Sequence, residues 1–415
     1  MKAYWSLLLV VFIQLSCNNI NGYDSSSGEP YVILVSFDGF SHEYADLYDT
    51  PNLDQFISGG SSTSKMISSF PSKTFPNHYS IVTGLYPGNH GLVDNTFYDR
   101  ERKEIYQISN REVVEDPYYY QGTPLWQLAQ KNEMKSASYF WVGSEAPIAG
   151  SFPDYYHIYN GSVPNESRVD QVIAWLKLPD DSRPQFISLY FSLLDDAGHN
   201  FGPYSEEVAE AIMEADSLVG QLMSGLETLP FSPNVIIVSD HGMYPMNNEP
   251  ETFIHFDKLL DMGNDAFLGI NNGTHGHIYS TSASESQLDS LYNLLLNNGI
   301  SGYDVYRKQN FPDNWNYQND RVGDILIVAI PGKYLTRSSR NIETWENEWG
   351  THGFDPYVCD EVGGIFYANG PNIASNTKID EFQNVHVYPF IAKILGINTP
   401  EIDGKIEVLE SIYIK

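Results

Sequence analysis

Three hydrophobic runs in this chain each stop at an acidic residue: YVILVSF at Asp38, QFISLYFSLL at Asp195 and NVIIVS at Asp240. Ligands and chemistry in α/β proteins gather beyond the carboxyl ends of parallel strands, so acids in that position are expected to converge on one site. Histidines accompany them: His199 lies four residues after Asp195 in DDAGH, His241 follows Asp240 in SDHGM, and His352 stands downstream in GTHGFD. Carboxylate with imidazole is a ligand set for zinc, manganese or iron, not for a thiolate or all-oxygen centre. A metalloenzyme is the first expectation.

The segment FPSKTFPNHYSIVTGLYPGNHG narrows the chemistry. Thr74 stands at the expected start of a helix, where its hydroxyl would face both the metal ligands and the positive end of the helix dipole. That arrangement suits attack on phosphorus once a metal or base has lowered the hydroxyl's pKa.

Read in order, SFDGF, FPSKTFPNHYSIVTGLYPGNHG, VDNTFYD, FWVGSE, YNGSVP, DDAGHNFGP, SDHGM and GTHGFD closely resemble the ecto-nucleotide pyrophosphatase/phosphodiesterase family of the alkaline phosphatase superfamily. Any one of these motifs would be weak evidence, but their order and spacing run through nearly the whole chain. The resemblance implies two zinc ions, one held by Asp195, His199 and His352, the other by Asp38, Asp240 and His241 with Thr74 completing its shell. It also implies that Thr74 becomes the nucleophile and carries a nucleotidyl group until water releases it. Asn95, in VDNTF, matches a position whose amide donates to a non-bridging phosphate oxygen. Phe75 and Tyr159 match the pair that sandwiches the base in nucleotide-cleaving relatives, with Trp141 expected on the same pocket. Flat aromatic faces bind any base by stacking and so give little base selectivity.

A phosphate monoester carries a further anionic oxygen and commonly needs a cationic clamp, and these motifs offer only Lys73. The diester reading is therefore favoured: cleavage at the nucleotide α-phosphate, releasing a nucleoside 5′-monophosphate. A choline-headgroup lipid phosphodiesterase and a phosphate monoesterase of the same superfamily are the alternatives. Asp196 competes with Asp195 for the ligand role, and the spacing to His199 favours Asp195. His78, His90 and His157 are read as hydrogen-bonded structural residues, and His275 and His277, which look like a metal pair on a strand, as surface or insert packing.

The elements that must position these groups form an α/β fold: an alkaline phosphatase-like core with a mostly parallel central sheet flanked by helices, plus a smaller inserted α+β region at 245–350. Strand-like runs alternate with helical periods up to about residue 244, as in EEVAEAIMEADSLVGQLMSGLETL before NVIIVS. The catalytic domain is expected to cover 30–415. MKAYWSLLLVVFIQLSC at 1–17 reads as an export signal, with Cys17 a candidate for lipid attachment, and the polar stretch 18–29 as a tether. With only Cys17 and Cys359, the chain has no disulfide framework, which suggests a bacterial envelope: periplasmic, outer-membrane-anchored or secreted. The net charge of −30 argues against long nucleic acid as a partner, because phosphate-backbone binding draws on clustered Lys and Arg. It leaves a small nucleotide as the expected partner, with membrane contact only through Cys17 and a monomer assumed. Asn160, Asn165 and Asn272 begin N-x-S/T sequons, expected to be unmodified in such a setting.

Overall fold

The computed structural model describes residues 30–260, 265–340 and 348–415. The export signal, tether and Cys17 of the sequence reading fall outside these residues.

An eight-stranded sheet runs in the order Thr377–Ile379, Ser61–Thr63, Phe366–Asn369, Asn234–Val238, Val32–Phe37, Phe186–Phe191, Ser136–Tyr139, Tyr155–His157. Its central strands are parallel, while Phe366–Asn369 runs antiparallel to both of its neighbours. Val32–Phe37 is buried along its whole length, as a strand covered by helices on both faces must be, which is why it reads as one apolar run instead of alternating. Its side chains still alternate in direction: Val32 and Leu34 enter one core, and Ile33, Val35 and Phe37 enter the other.

Register decides where the chemistry sits. Val32 pairs with Phe186 on one side and with Asn234 on the other, so Phe37 ends level with Phe191 and Ser36 level with Val238. The acids that follow these strand ends therefore emerge at the same height. Gly39 lets them approach: its φ of +72° lies in the left-handed region, and a Cβ there would come within 3.0 Å of the Asp195 Cα.

The helix Glu206–Leu226 starts at Ser205, whose hydroxyl accepts from the Val208 N–H at 3.2 Å. It buries Val208, Ala211, Ile212, Ala215, Leu218, Val219, Leu222 and Leu226, the three- and four-residue spacing of one helix face. Between Asp240 and His352 lies a second, antiparallel sheet in the order Phe267–Asn271, His275–Ser280, Ile325–Ala329, Tyr303–Arg307, covered by the helix Glu285–Asn297. At its base, Tyr244–Asn247 pairs antiparallel with Glu348–Thr351. That ladder places Thr351 opposite Tyr244 and so returns His352 to the neighbourhood of His241.

Candidate active site

Asp38 follows the first strand and Asp240 follows Asn234–Val238 after one serine, while Asp195 lies in the first turn of the helix Leu193–Phe201. Asp195 and His199, four apart, occupy one face of that helix with Oδ1 and Nε2 at 3.4 Å. His352 Nε2 lies 3.1 Å from His199 Nε2 and 3.6 Å from Asp195 Oδ1. His241 Nε2 lies 2.9 Å from Asp240 Oδ2 and 3.5 Å from Asp38 Oδ1. The two groups abut, because the His241 and His352 rings stack with centroids 3.5 Å apart.

Backbone carbonyls fix the tautomers of all three histidines. Nδ1 of His199 donates to Gly350 O at 2.8 Å, Nδ1 of His352 to Ser72 O at 2.8 Å, and Nδ1 of His241 to Gly242 O at 2.9 Å. With the proton spent at Nδ1, each neutral ring turns the lone pair of Nε2 toward the carboxylates. Asp38 Oδ1, Asp195 Oδ1 and Asp240 Oδ2 are buried and receive no hydrogen bond. Facing lone pairs of nitrogen and buried oxygen repel unless a cation lies between them. The donor set therefore fits metal ions with nitrogen and oxygen ligands, such as zinc.

The pKa directions of Asp38 and His352 agree, whereas at His241 burial is outweighed by the charge and hydrogen bond of Asp240, which raise it. Burial, then the charges of Asp240 and Asp195, push the Asp38 carboxyl well above its usual range. Burial, then His241, Lys73 and His199, push His352 well below its usual value, which keeps it neutral and ligand-competent.

By proximity alone, half-buried Asp195 groups with the buried His241 and His352, and Asp38, His78 and Asp240 form a second, buried group. His78 has no free nitrogen, however: Nδ1 donates to Thr74 O at 3.0 Å and Nε2 accepts from Ser36 Oγ at 2.8 Å. His241, closer to Asp240 than any other nitrogen, takes its place. Asp196 is likewise engaged, accepting from Ser192 Oγ at 3.0 Å, whereas Asp195 turns toward the histidines.

Thr74 opens the helix Thr74–Thr83, with Lys73 at the capping position in an extended conformation. Its hydroxyl lies 3.3 Å from His241 Nε2. The Lys73 side chain does not cap this helix; of its first N–H groups, that of Phe75 donates to Asn95 Oδ1 at 3.0 Å and that of Asn77 to Lys73 O at 3.1 Å, and Pro76 has none. Lys73 is not a phosphate clamp: its Nζ is buried and donates to His352 O at 2.9 Å, and burial lowers its pKa to about 8. Asn95 accepts from the Phe75 N–H through Oδ1 at 3.0 Å, which turns its NH₂ away from that contact.

A cleft beside Thr74 is lined by Phe75, Trp141, Tyr159, Tyr190, Arg111 and Glu145. Trp141 forms its floor, buried, with Nε1 donating to His78 O at 3.0 Å. Tyr159 is 41% exposed, its ring meeting Phe140 and Tyr190 edge-on, and its backbone N–H donates to Glu145 at 2.9 Å. Arg111, at the rim, is paired with Glu145 and Glu115.

Other histidines take structural positions. His90 Nδ1 accepts from the Leu92 N–H, so its Nε2 carries the proton and donates to Ser80 Oγ at 3.0 Å. His157 packs against Tyr139 and Trp175. His275 and His277 are fully buried against Asp94. Two contacts escaped the sequence reading. Tyr190 OH donates to Asp38 Oδ2 at 2.6 Å, a contact hidden inside an apolar strand, and Glu145 was seen only as part of FWVGSE. Asn272, one of the sequon asparagines, donates to Asp94 and to Thr96 O and is thereby committed to the interior.

Residues 32–355 match the family model for type I phosphodiesterase / nucleotide pyrophosphatase. The chain belongs to that family. Mouse ectonucleotide pyrophosphatase/phosphodiesterase family member 1 is 34% identical over 378 residues, 89% of this chain and 41% of its own length. Venom phosphodiesterase of Macrovipera lebetinus is 32% identical over 90% of this chain and 44% of its own. The chain thus spans less than half the length of these curated relatives. Murine ENPP5, solved as an inactive threonine-to-alanine variant in complex with AMP, superposes with a TM-score of 0.84 at 29% identity, covering 93% of this chain and all of that one. Human ENPP5 superposes equally well, at a TM-score of 0.84. The fold of this family member is the α/β, alkaline phosphatase-like one. No helix among the described residues is long and apolar enough to cross a membrane.

Proposed function

We propose that this chain is an exported, zinc-dependent nucleotide pyrophosphatase/phosphodiesterase that cleaves at the nucleotide α-phosphate and releases a nucleoside 5′-monophosphate. The observation that carries this reading is the Thr74 hydroxyl, placed at the N-terminus of a helix, 3.3 Å from Nε2 of His241 and beside three carboxylate oxygens without hydrogen bonds. Asp195, His199 and His352 would hold one zinc ion, and Asp38, Asp240 and His241 the other. When bound, zinc supplies Lewis-acid polarisation and lowers the pKa of an oxygen nucleophile.

The chain's own groups do the rest. Thr74 Oγ1 loses its proton to solvent and attacks the α-phosphorus in line, breaking the bond from phosphorus to the leaving oxygen, which departs as pyrophosphate or an alcohol. Water then hydrolyses the threonine–phosphorus ester, releasing the nucleoside 5′-monophosphate and restoring the hydroxyl. The Thr74 N–H, at the positive end of the helix Thr74–Thr83, and the Asn95 amide stabilise the charge that grows on the non-bridging oxygens. Phe75 and Tyr159 hold the base, and Trp141 closes the floor beneath it. Support for a nucleotide comes from the AMP complex of murine ENPP5, and support for export from the ecto- and venom enzymes among the relatives. The diester preference rests on charge: among the described residues near Thr74, Lys73 is tied to His352 O and Arg111 to carboxylates, so no cation is free to clamp a dianionic monoester.

The test is side-by-side hydrolysis of p-nitrophenyl thymidine monophosphate, p-nitrophenyl phosphate and p-nitrophenyl phosphorylcholine by the zinc-loaded protein and by Thr74→Ala. Preference for the nucleotide diester, lost in the variant, is expected. Preference for the monoester or the choline ester would overturn the base-holding role of Phe75 and Tyr159, and activity surviving without Thr74 would overturn the nucleophile.

A further inference from the structure

Asp94 directly precedes Asn95 and is fully buried. Its Oδ1 accepts from the Asn95 N–H at 2.7 Å. Its Oδ2 faces His275 Nε2, His277 Nε2 at 3.0 Å and Asn272 Nδ2 at 2.8 Å, all three on the inserted sheet or the turn leading into it. One aspartate with two histidines has the composition of a metal site, but the hydrogen bonds argue otherwise. His277 Nδ1 accepts from the Gly323 N–H at 3.2 Å, so the ring proton sits on Nε2 and is donated to Asp94. Asn272 uses its second Nδ2 hydrogen on Thr96 O at 3.0 Å, and neither Asp94 oxygen is left without a hydrogen bond.

The same stretch is tied to the insert further on. The Tyr98 N–H donates to Tyr279 OH at 3.2 Å, and Asp99 pairs with the buried Arg321 at 2.9 Å. The segment that carries Asn95 is thus clamped by the inserted sheet at its start and at its end. On its other side Asn95 receives the Phe75 N–H, beside the nucleophile.

We propose that Asp94, held by His275, His277 and Asn272, is a positioning residue: it transmits the placement of the inserted sheet to the Asn95 amide and fixes that donor against the phosphate. The proposal rests on the phosphate-binding role of Asn95 given above. Asp94 itself touches no substrate. The insert then acts in catalysis through one carboxylate, not only as a lid or a packing unit. A misplacement of about 1 Å at a positioning group costs up to ~100-fold in rate, which sets the size of effect to look for.

The experiment is a double-mutant cycle on the full, zinc-loaded chain, reading kcat and KM for p-nitrophenyl thymidine monophosphate in the wild type, Asn95→Ala, Asp94→Asn and the double variant. Asp94→Asn keeps the size of the side chain but sets an NH₂ against donors. It is expected to lower kcat roughly 10- to 100-fold with KM changed by no more than about twofold, and to add less than about twofold once Asn95 is already alanine. His277→Gln, which retains a donor toward Asp94, should keep most of the rate that His277→Leu loses. Equal losses from Asp94→Asn in both backgrounds would show that Asp94 acts independently of Asn95 and would overturn the inference. A rate unchanged in Asn95→Ala would instead overturn the phosphate role of Asn95, a failure distinct from that of the coupling.

Discussion

Two buried clusters in this protein are built from the same residue types, Asp with His, and they behave as opposites. At the strand ends, Asp38, Asp195 and Asp240 each keep a buried oxygen without a hydrogen bond, and three histidines turn unprotonated nitrogens toward them. At Asp94 the carboxylate is met from every side by N–H donors, because an N–H from Gly323 forces the His277 proton onto the nitrogen that faces the acid. The difference lies in which ring nitrogen the backbone occupies. A carbonyl against Nδ1 prepares a ligand, whereas an N–H against Nδ1 prepares a hydrogen-bond donor. Residue identity alone does not separate the two cases.

The comparison can be broken most forcefully at the proposed ligands. Asp240→Asn should lower turnover of the nucleotide diester by at least the order of 10²–10³ and reduce bound zinc measured by elemental analysis, since it removes a charge from a buried ligand set. Asp94→Asn, by contrast, should leave the zinc content of the purified protein unchanged. Equal metal loss from the two substitutions would erase the distinction.

A subtler change sharpens it. Tyr190 OH donates to the oxygen of Asp38 that does not face His241, so Tyr190→Phe should weaken metal retention or activity roughly 10- to 100-fold while preserving the fold. Titration with a chelator, followed by residual activity, would show the shift. A retention curve superposable on wild type would mean that the hydroxyl does not tune the site.

The smallest expected effect concerns a histidine that belongs to neither cluster. Burial lowers the His90 pKa from its ordinary 6.5 to about 3. Between those values the unfolded chain binds a proton that the folded chain refuses, so stability falls as pH drops below about 6.5 and the loss levels off near 3. The slope from this one group is about 1.4 kcal/mol per pH unit at most. Thermal unfolding of His90→Gln should depend less on pH than the wild type over pH 4–6, and an identical dependence would remove His90 as a source.

Much of the site was legible in the chain because apolar runs that end in an acid mark buried parallel strands, and the register then brings those ends level. His199 could be read from its spacing to Asp195 on one helix face. His352 was tied to the site only by resemblance, since the ladder of Tyr244–Asn247 with Glu348–Thr351 that brings it back has no strong alternation of its own. The THGH pair drew attention, but its acid lies 181 residues upstream of His275, beyond any local pattern. The groups that separate the clusters are backbone atoms of Gly242, Gly350, Ser72 and Gly323, which leave no signature in side-chain chemistry.

The most direct test of this account is anomalous scattering at the zinc edge from crystals of the zinc-loaded protein. The account predicts peaks between Asp195, His199 and His352 and between Asp38, Asp240 and His241, and none at Asp94, His275 and His277. A peak at the Asp94 cluster, or none at the strand ends, would contradict it.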